Sequence, residues 1–365
     1  MRIYQREQLY MPSSKLTRKT PQRKTPKQLT PTRKTPKRQT PQHATPKHVI
    51  HNPELNAATY TLDTPPKVHA DHAFVWLIMF GDAYLPGIFV SMYSVRKTNP
   101  KADLVVMVTP DVSQRAISIM YKIADAIYQV PYITHETTPM VGKQVAYYSS
   151  WINSSFTKWN ALALPYKKVV FVDGDTLCLE SIDDLFDVPT PAAPWSNPWM
   201  EPMGRIPNRY SGPLLNGYPP HKALITPAMF SDVFKLGGML FTANAVVLTP
   251  NKKDYRDYLA LISKKKFGIV GCLSAADEQS LAWYYSQVKK QPFYNVHQRY
   301  NCLFWKKDYL KNTTPALLHY VTSEKPWKCA RGKYEDIVIW YKYADESITA
   351  YHLQHSDILI KGPGE

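Results

Sequence analysis

The sequence predicts an α/β fold built on a mixed, mostly parallel sheet flanked by helices. Three observations carry that expectation. Apolar runs rich in β-branched and aromatic residues occur at Ala73–Phe80, Leu104–Thr109 and Val169–Val172. They are short and lack polar alternation, so each reads as a strand buried on both faces. Between them, Ile88–Arg96, Asp111–Ile127 and Ser154–Leu164 have helical periodicity, and strand–helix alternation implies parallel strands with right-handed crossovers. Finally, 44% hydrophobic and 13% aromatic residues in a chain of 365 are enough to bury a sizeable core.

The first 66 residues stand apart. Thr-Pro recurs every five residues from Thr20 to Thr45, with Lys, Arg, Gln and His between. Each proline removes a backbone donor and drives the preceding threonine to extended geometry, and each repeat offers almost nothing to bury. Residues 1–66 are therefore expected to be a disordered basic tail, and residues 67–365 the folded domain. The charge agrees with that division. The chain carries a net +16, of which residues 1–52 contribute +12, so the body is nearly balanced. A tether, an arm for a polyanion and a ladder of Thr-Pro phosphorylation sites are all compatible with the tail. No base-reading module is visible, so contact with nucleic acid would be nonspecific.

In the body, Ala73–Phe80 ends in a turn, Gly81-Asp82-Ala83-Tyr84-Leu85-Pro86-Gly87, before the first helix. Leu104–Thr109 leads to the Asp111–Ile127 helix, with Asp111 or Ser113 as N-cap. Ser181–Phe186 reads as a short capped helix. The proline-rich residues 189–228 read as a long loop, a lid or acceptor-side region. Strand sequence returns at Leu240–Leu248, and Thr249-Pro250 opens a helix through Ile262. A helix beginning at Asp277-Glu278 has acids at its positive end. Leu317–Tyr320 reads as a short buried strand carrying a histidine.

Four scattered cysteines (Cys178, Cys272, Cys302, Cys329) form no CxxC pair and no disulfide-like framework. With no signal-peptide core and no run of ~18 apolar residues, a cytoplasmic enzyme without membrane contact is expected rather than an anchored Golgi one.

The candidate centre is Val169-Val170-Phe171-Val172-Asp173-Gly174-Asp175. The strand ends by presenting two carboxylates at its carboxyl edge, where open α/β sheets bind ligands. Close carboxylates repel unless a cation lies between them, and a divalent metal meets that need. An ordinary Asp-Gly turn explains the same residues equally well.

Six motifs in order then resemble glycogenin and its relatives, the family 8 retaining glycosyltransferases of GT-A (Rossmann-like) fold. Asp82-Ala83-Tyr84 is similar to the family's Asn-Asp-Ala-Tyr, and Leu104–Ser113 to LVVLxTPxVS. Thr157-Lys158 is similar to the Thr-Lys before the metal strand. Val170–Thr176 and Ile182–Asp187 are similar to the DxD and IDDLFD signatures, and His319–Trp327 to HFLGxxKPW. The resemblance implies a metal-dependent transferase, with Asp173, Asp175 and His319 as ligands of Mn²⁺ (or Mg²⁺). It implies a UDP-sugar donor, glucose or galactose, held by Phe80, Asp82, Tyr84, Lys158, Gly174 and Lys325. Asp277, Glu278 and Lys158 are the implied catalytic residues, and a homodimer is compatible with it. Departures mark the sugar side. FNxGVMVL appears as Phe241–Leu248 with Asn244 displaced and no glycine. DQGLLN places Glu278 where a glutamine is expected, or Gln279 one position late. Thr322 replaces a glycine. They leave open the acceptor (the protein itself, a polyol, another protein or a glycan). They also leave a second reading, a catalytically weak binding protein whose basic tail contacts a polyanion.

Overall fold

A computed structural model describes residues 60–64, 68–137, 149–195, 219–235, 241–264, 276–304, 313–321 and 324–358. The Thr-Pro repeat, the centre of the proline-rich stretch, Cys272 and Thr322 lie outside them.

The described strands are β1 (Tyr60–Thr61), β2 (His72–Ile78), β3 (Asp103–Val108), β4 (Ala126–Gln129), β5 (Lys168–Phe171), β6 (Thr176–Cys178), β7 (Ala192–Pro194), β8 (Leu224–Ile225), β9 (Val246–Leu248), β10 (Phe293–Val296) and β11 (Leu317–His319). One sheet runs β1-β4-β3-β2-β5-β9-β7-β10-β8. Its first five strands are parallel neighbours. Beyond β5 the sheet is mixed: β9 is antiparallel to both β5 and β7, while β10 runs parallel to β7 and antiparallel to β8. The mixed, mostly parallel α/β sheet expected from the sequence is therefore present. A separate antiparallel pair, β6 with β11, sets Thr176 opposite His319.

Alternation along β2 explains why its sequence is apolar throughout. Phe74, Trp76 and Ile78 enter one core, shared with the Leu85–Arg96 and Glu335–Ala350 helices. Ala73 and Val75 enter the other, shared with the 3₁₀ helix Ile152–Ala163 and with Leu281 and Ala282 of the Ala276–Trp283 helix. Full burial of a side chain such as Phe74 (0% exposed) contributes about 1.5–3 kcal/mol.

Several expected elements are changed. The Asp111–Ile127 helix is only Gln114–Met120. Ser113 caps it, its Oγ accepting from the Ala116 N–H at 3.1 Å. The chain then turns at Asp125, whose carboxylate takes the Leu104 N–H (2.7 Å) and the Arg96 guanidinium (2.7 Å), so Ala126–Gln129 enters the sheet. Ala126, Ile127 and Tyr128 suit either periodicity; pairing with β3 and β1 decides. The first helix starts at Leu85 rather than Ile88, with Pro86 in its first turn where no N–H is missed. Ser154–Leu164 is 3₁₀ over Ile152–Ala163. Of the described residues 241–248 in the expected strand Leu240–Leu248, Val246–Leu248 is strand, while Ala243–Ala245 forms a 3₁₀ turn from which Asn244 Nδ2 donates to the Tyr300 carbonyl. Residues 189–228 are not one loop: β7 and β8 lie near its ends and the Pro227–Lys235 helix begins there. The short strands β1, β4, β6, β7, β8 and β10, two to four residues each, gave no period long enough to read.

Candidate active site

β5 delivers Val172 and Asp173 to the carboxyl edge of the sheet, Gly174 turns the chain, and Asp175 enters β6. Because β11 pairs with β6, and the Tyr320 N–H donates to the Asp175 carbonyl (2.8 Å), His319 arrives beside the same carboxylates from a point 144 residues later. Its Nε2 lies 3.4 Å from Asp175 Oδ1. One ligand atom from each of Asp173, Asp175 and His319 can be chosen so that all lie within 4.8 Å of one another. Metal–oxygen and metal–nitrogen bonds of about 2.0–2.2 Å span such a group with small adjustments. Two carboxylates and an imidazole form an O,O,N donor set suited to Mn²⁺.

Two lysines complete a charge cluster. Lys325 Nζ lies 2.6 Å from Asp175 Oδ2 and donates to the Tyr320 carbonyl at 2.9 Å. It sits at the N-cap of the 3₁₀ turn Pro326–Lys328, which Trp327 anchors by donating its indole N–H to the Ala83 carbonyl (3.2 Å). Lys158, from the 3₁₀ helix, lies 3.1 Å from Asp173 Oδ1 and 3.0 Å from Asp277 Oδ2. Burial disfavours both ammonium ions, but the carboxylates more than offset it and their pKa values rise. Burial also works against the Asp175 carboxylate, yet the Lys325 ammonium holds its pKa far below the usual range.

Asp277 and Glu278 behave oppositely although adjacent. Burial raises both, but the Lys158 ammonium holds Asp277 below its ordinary value. Glu278, buried beside the Asp277 charge, is pushed well up, shares a hydrogen bond with Asp277, and its Oε2 has no hydrogen-bond partner. Burial and the Asp277 charge thus both favour the protonated form of Glu278. Three carboxylates then face two ammonium ions, and the negative excess favours a divalent cation. Gln279, the alternative for the displaced motif, is buried with its Oε1 unpartnered.

The remaining predicted residues line the turn after β2. Phe80 has φ +60°, uncommon for a bulky residue, and is held there by its N–H donating to Tyr132 Oη (3.0 Å) and by ring contact with Tyr132 at 5.4 Å. It is 43% exposed and Tyr84 38%, so each side chain is partly open to solvent. Tyr84 packs edge-on against Trp327, ring centroids 5.3 Å apart. The Asp82 carboxylate is taken by Ser113, accepting from its N–H (2.9 Å) and its hydroxyl. Asp111, the other candidate cap, instead accepts from the Gly81 N–H (2.9 Å) and from Tyr132. A Cβ at Gly174 would come 2.4 Å from Ile88 Cγ1, so the near contact at this glycine is the first helix. Gly87 has the matching constraint: its Cβ would meet the Trp327 ring at 2.4 Å and the Gly174 carbonyl at 2.5 Å.

Sequence reasoning missed Gly87 and Asn301. Gly87 lies in the quoted turn, but its need shows only once Trp327 is placed. Asn301 Oδ1 lies 2.7 Å from His319 Nδ1 and belongs to no motif; no sequence signal marks it.

Residues 77–195 match the family model "Glycosyl transferase family 8". The chain is 25% identical over 71% of its length to an uncharacterized protein, R707, of Acanthamoeba polyphaga mimivirus, covering 83% of that protein. It is 24% identical over 78% of its length to a glycogenin of Neurospora crassa, but spans only 36% of that protein. It is 24% identical over 80% of its length to galactinol synthase 1 of Arabidopsis thaliana, covering 85% of it. No helix among the described residues is long and apolar enough to cross a membrane.

Proposed function

We propose, for a chain that is a glycogenin-like family 8 glycosyltransferase, that it transfers a hexose, glucose or galactose, from a UDP-sugar to a hydroxyl acceptor with retention, using Mn²⁺. The observation that supports this most is the convergence of Asp173, Asp175 and His319 with Lys158 and Lys325 at the carboxyl edge of β5. Departure of UDP places negative charge on a diphosphate, so catalysis needs cations fixed where that charge develops. A bound metal supplies Lewis-acid stabilisation of that charge. Lys325, held by the Pro326–Lys328 turn, contributes a second positive charge beside it. Phe80 and Tyr84 offer faces for the uracil. Asp277 and the acid of Glu278, positioned by Lys158, are the groups for sugar hydroxyls. Gly174 keeps the turn free of a side chain. Asp82 acts through Ser113 by holding the nucleotide-side turn.

The acceptor is a hydroxyl of this chain, of a polyol, or of another protein or glycan. The near end-to-end match to galactinol synthase 1 puts galactinol formation beside self-glycosylation as the first reactions to assay. In this reading the basic extension ends before Tyr60–Thr61, which pair with β4 in the sheet and so lie outside the tail expected over residues 1–66; it is free to contact polyanions, and deleting the residues before Tyr60 leaves UDP-sugar turnover unchanged.

The test is a screen of UDP-sugars with Mn²⁺, scored by UDP release and by intact mass for self-modification. Asp175→Ala is expected to abolish release. Turnover that survives this change would remove the metal assignment.

A further inference from the structure

We infer that Asn301 is a positioning residue that fixes the tautomer of His319, so that Nε2 presents a lone pair toward Asp175. The inference rests on reading His319 as a metal ligand. A backbone carbonyl can only accept a hydrogen bond. The Tyr300 carbonyl accepts from Asn244 Nδ2 at 2.8 Å, which fixes the orientation of the Asn244 amide. The same NH₂ lies 3.2 Å from Asn301 Oδ1, so Asn301 must present its oxygen there, and its own Nδ2 faces Thr242 Oγ1 at 3.2 Å. That oxygen is the atom 2.7 Å from His319 Nδ1. An oxygen can only accept, so Nδ1 carries the proton. In the neutral imidazole Nε2 is then the acceptor, and it lies 3.4 Å from Asp175 Oδ1. Two lone-pair atoms facing one point repel each other unless a cation occupies it, as at the metal group described above.

This gives the displaced motif a purpose. Asn244 is fully buried, and its Oδ1 has no hydrogen-bond partner. Leaving an amide oxygen unpaired in the core is unfavourable. Donation by its NH₂ sets the direction of the Tyr300–Asn244–Asn301–His319 chain. Such partners of a ligating histidine orient the ring, and their loss typically weakens metal binding about 10- to 100-fold.

The experiment uses the full chain without metal first. Nitrogen-15 shifts of the imidazoles should show His319, assigned by its loss in His319→Gln, protonated at Nδ1 near neutral pH. A signal for the Nε2–H tautomer overturns the inference without any variant. Mn²⁺ titration followed by EPR then compares variants. Asn301→Ala should weaken binding about 10- to 100-fold, whereas Asn301→Asp, which keeps an acceptor against Nδ1, should stay within about threefold of the unsubstituted protein. Unchanged affinity in Asn301→Ala, or equal losses in both variants, overturns the positioning role. If the unsubstituted protein has the Nδ1–H tautomer and binds no Mn²⁺, the metal reading fails while the inference about the tautomer stands.

Discussion

The two halves of the sheet use buried positions differently. From β1 to β5 every neighbour is parallel, and the buried polar groups are chiefly hydroxyls, such as Ser94 on the Ser91 carbonyl and Ser155 on the Ile152 carbonyl, with Asn160 the buried amide among them. From β9 to β8 the strands are mixed and out of chain order, and the interior there holds amides: Asn244, Asn295 and Gln298. Asn295 alone serves Trp195 N and the carbonyls of Pro219 and Pro220, tying segments a hundred residues apart. An apolar core specifies that side chains meet; directional amides specify which atom faces which. The active-site cluster lies where the two kinds of interior join, with Asp173 and Asp175 in the turn that follows the last parallel strand and His319 and Asp277 brought in from beyond it.

That contrast predicts that damage in the parallel half costs stability and damage at the join costs turnover. The largest effect after Asp175→Ala should come from Lys325→Ala. Removing one fixed cation from a developing charge costs about 2.7–4 kcal/mol, or roughly 10²–10³ in kcat. Single-turnover kinetics with saturating UDP-sugar would measure it; a loss below tenfold would place Lys325 among the structural ion pairs instead. Next comes Ile127→Val in β4, fully buried and far along the sheet from the cluster. Urea unfolding should show a loss of about 0.5–1.5 kcal/mol with turnover per folded molecule unchanged. A fall in turnover there would mean that the halves do not divide the work.

The smallest effect is a pH-dependent one at Glu278. Its carboxyl has a raised pKa in the fold, so the unfolded chain releases that proton first as pH rises. Its presence therefore lowers stability increasingly above the ordinary glutamate pKa and not below it. Glu278→Gln should leave Tm unchanged near pH 4 and raise it at pH 7, as read by melting curves across that range. Asp175 and Asp277 act in the opposite sense. Their depressed pKa values contribute stability above the ordinary aspartate range that is lost as pH falls through it, so acid should unfold both proteins alike.

How much was legible in advance follows the same division. The parallel half was readable because a strand buried on both faces is written as a continuous apolar run, and β2, β3 and β5 carry such runs. The carboxylates at the end of β5 were readable because a strand's end fixes where its next residues point. The sequence did not mark where the Asp111–Ile127 segment stops being helix, since Asp125 breaks it through bonds to Leu104 and Arg96, partners on other elements. Nor did it distinguish Asp82 as a ligand contact from Asp82 as the partner of Ser113.

By itself, then, the sequence determined the class of fold, the Asp173-Gly174-Asp175 turn and, through the order of its motifs, a resemblance to the family 8 glycosyltransferases. These depend on local period and on neighbours in the chain. Tertiary structure alone decided that β11 pairs with β6 and so puts His319 against Asp175. It also decided that Lys158 bridges Asp173 and Asp277, and that Asn244 and Asn301 set the direction of the imidazole. The physical reason is that a hydrogen bond or ion pair is defined by position in space, and these partners lie between 15 and 144 residues apart in the chain.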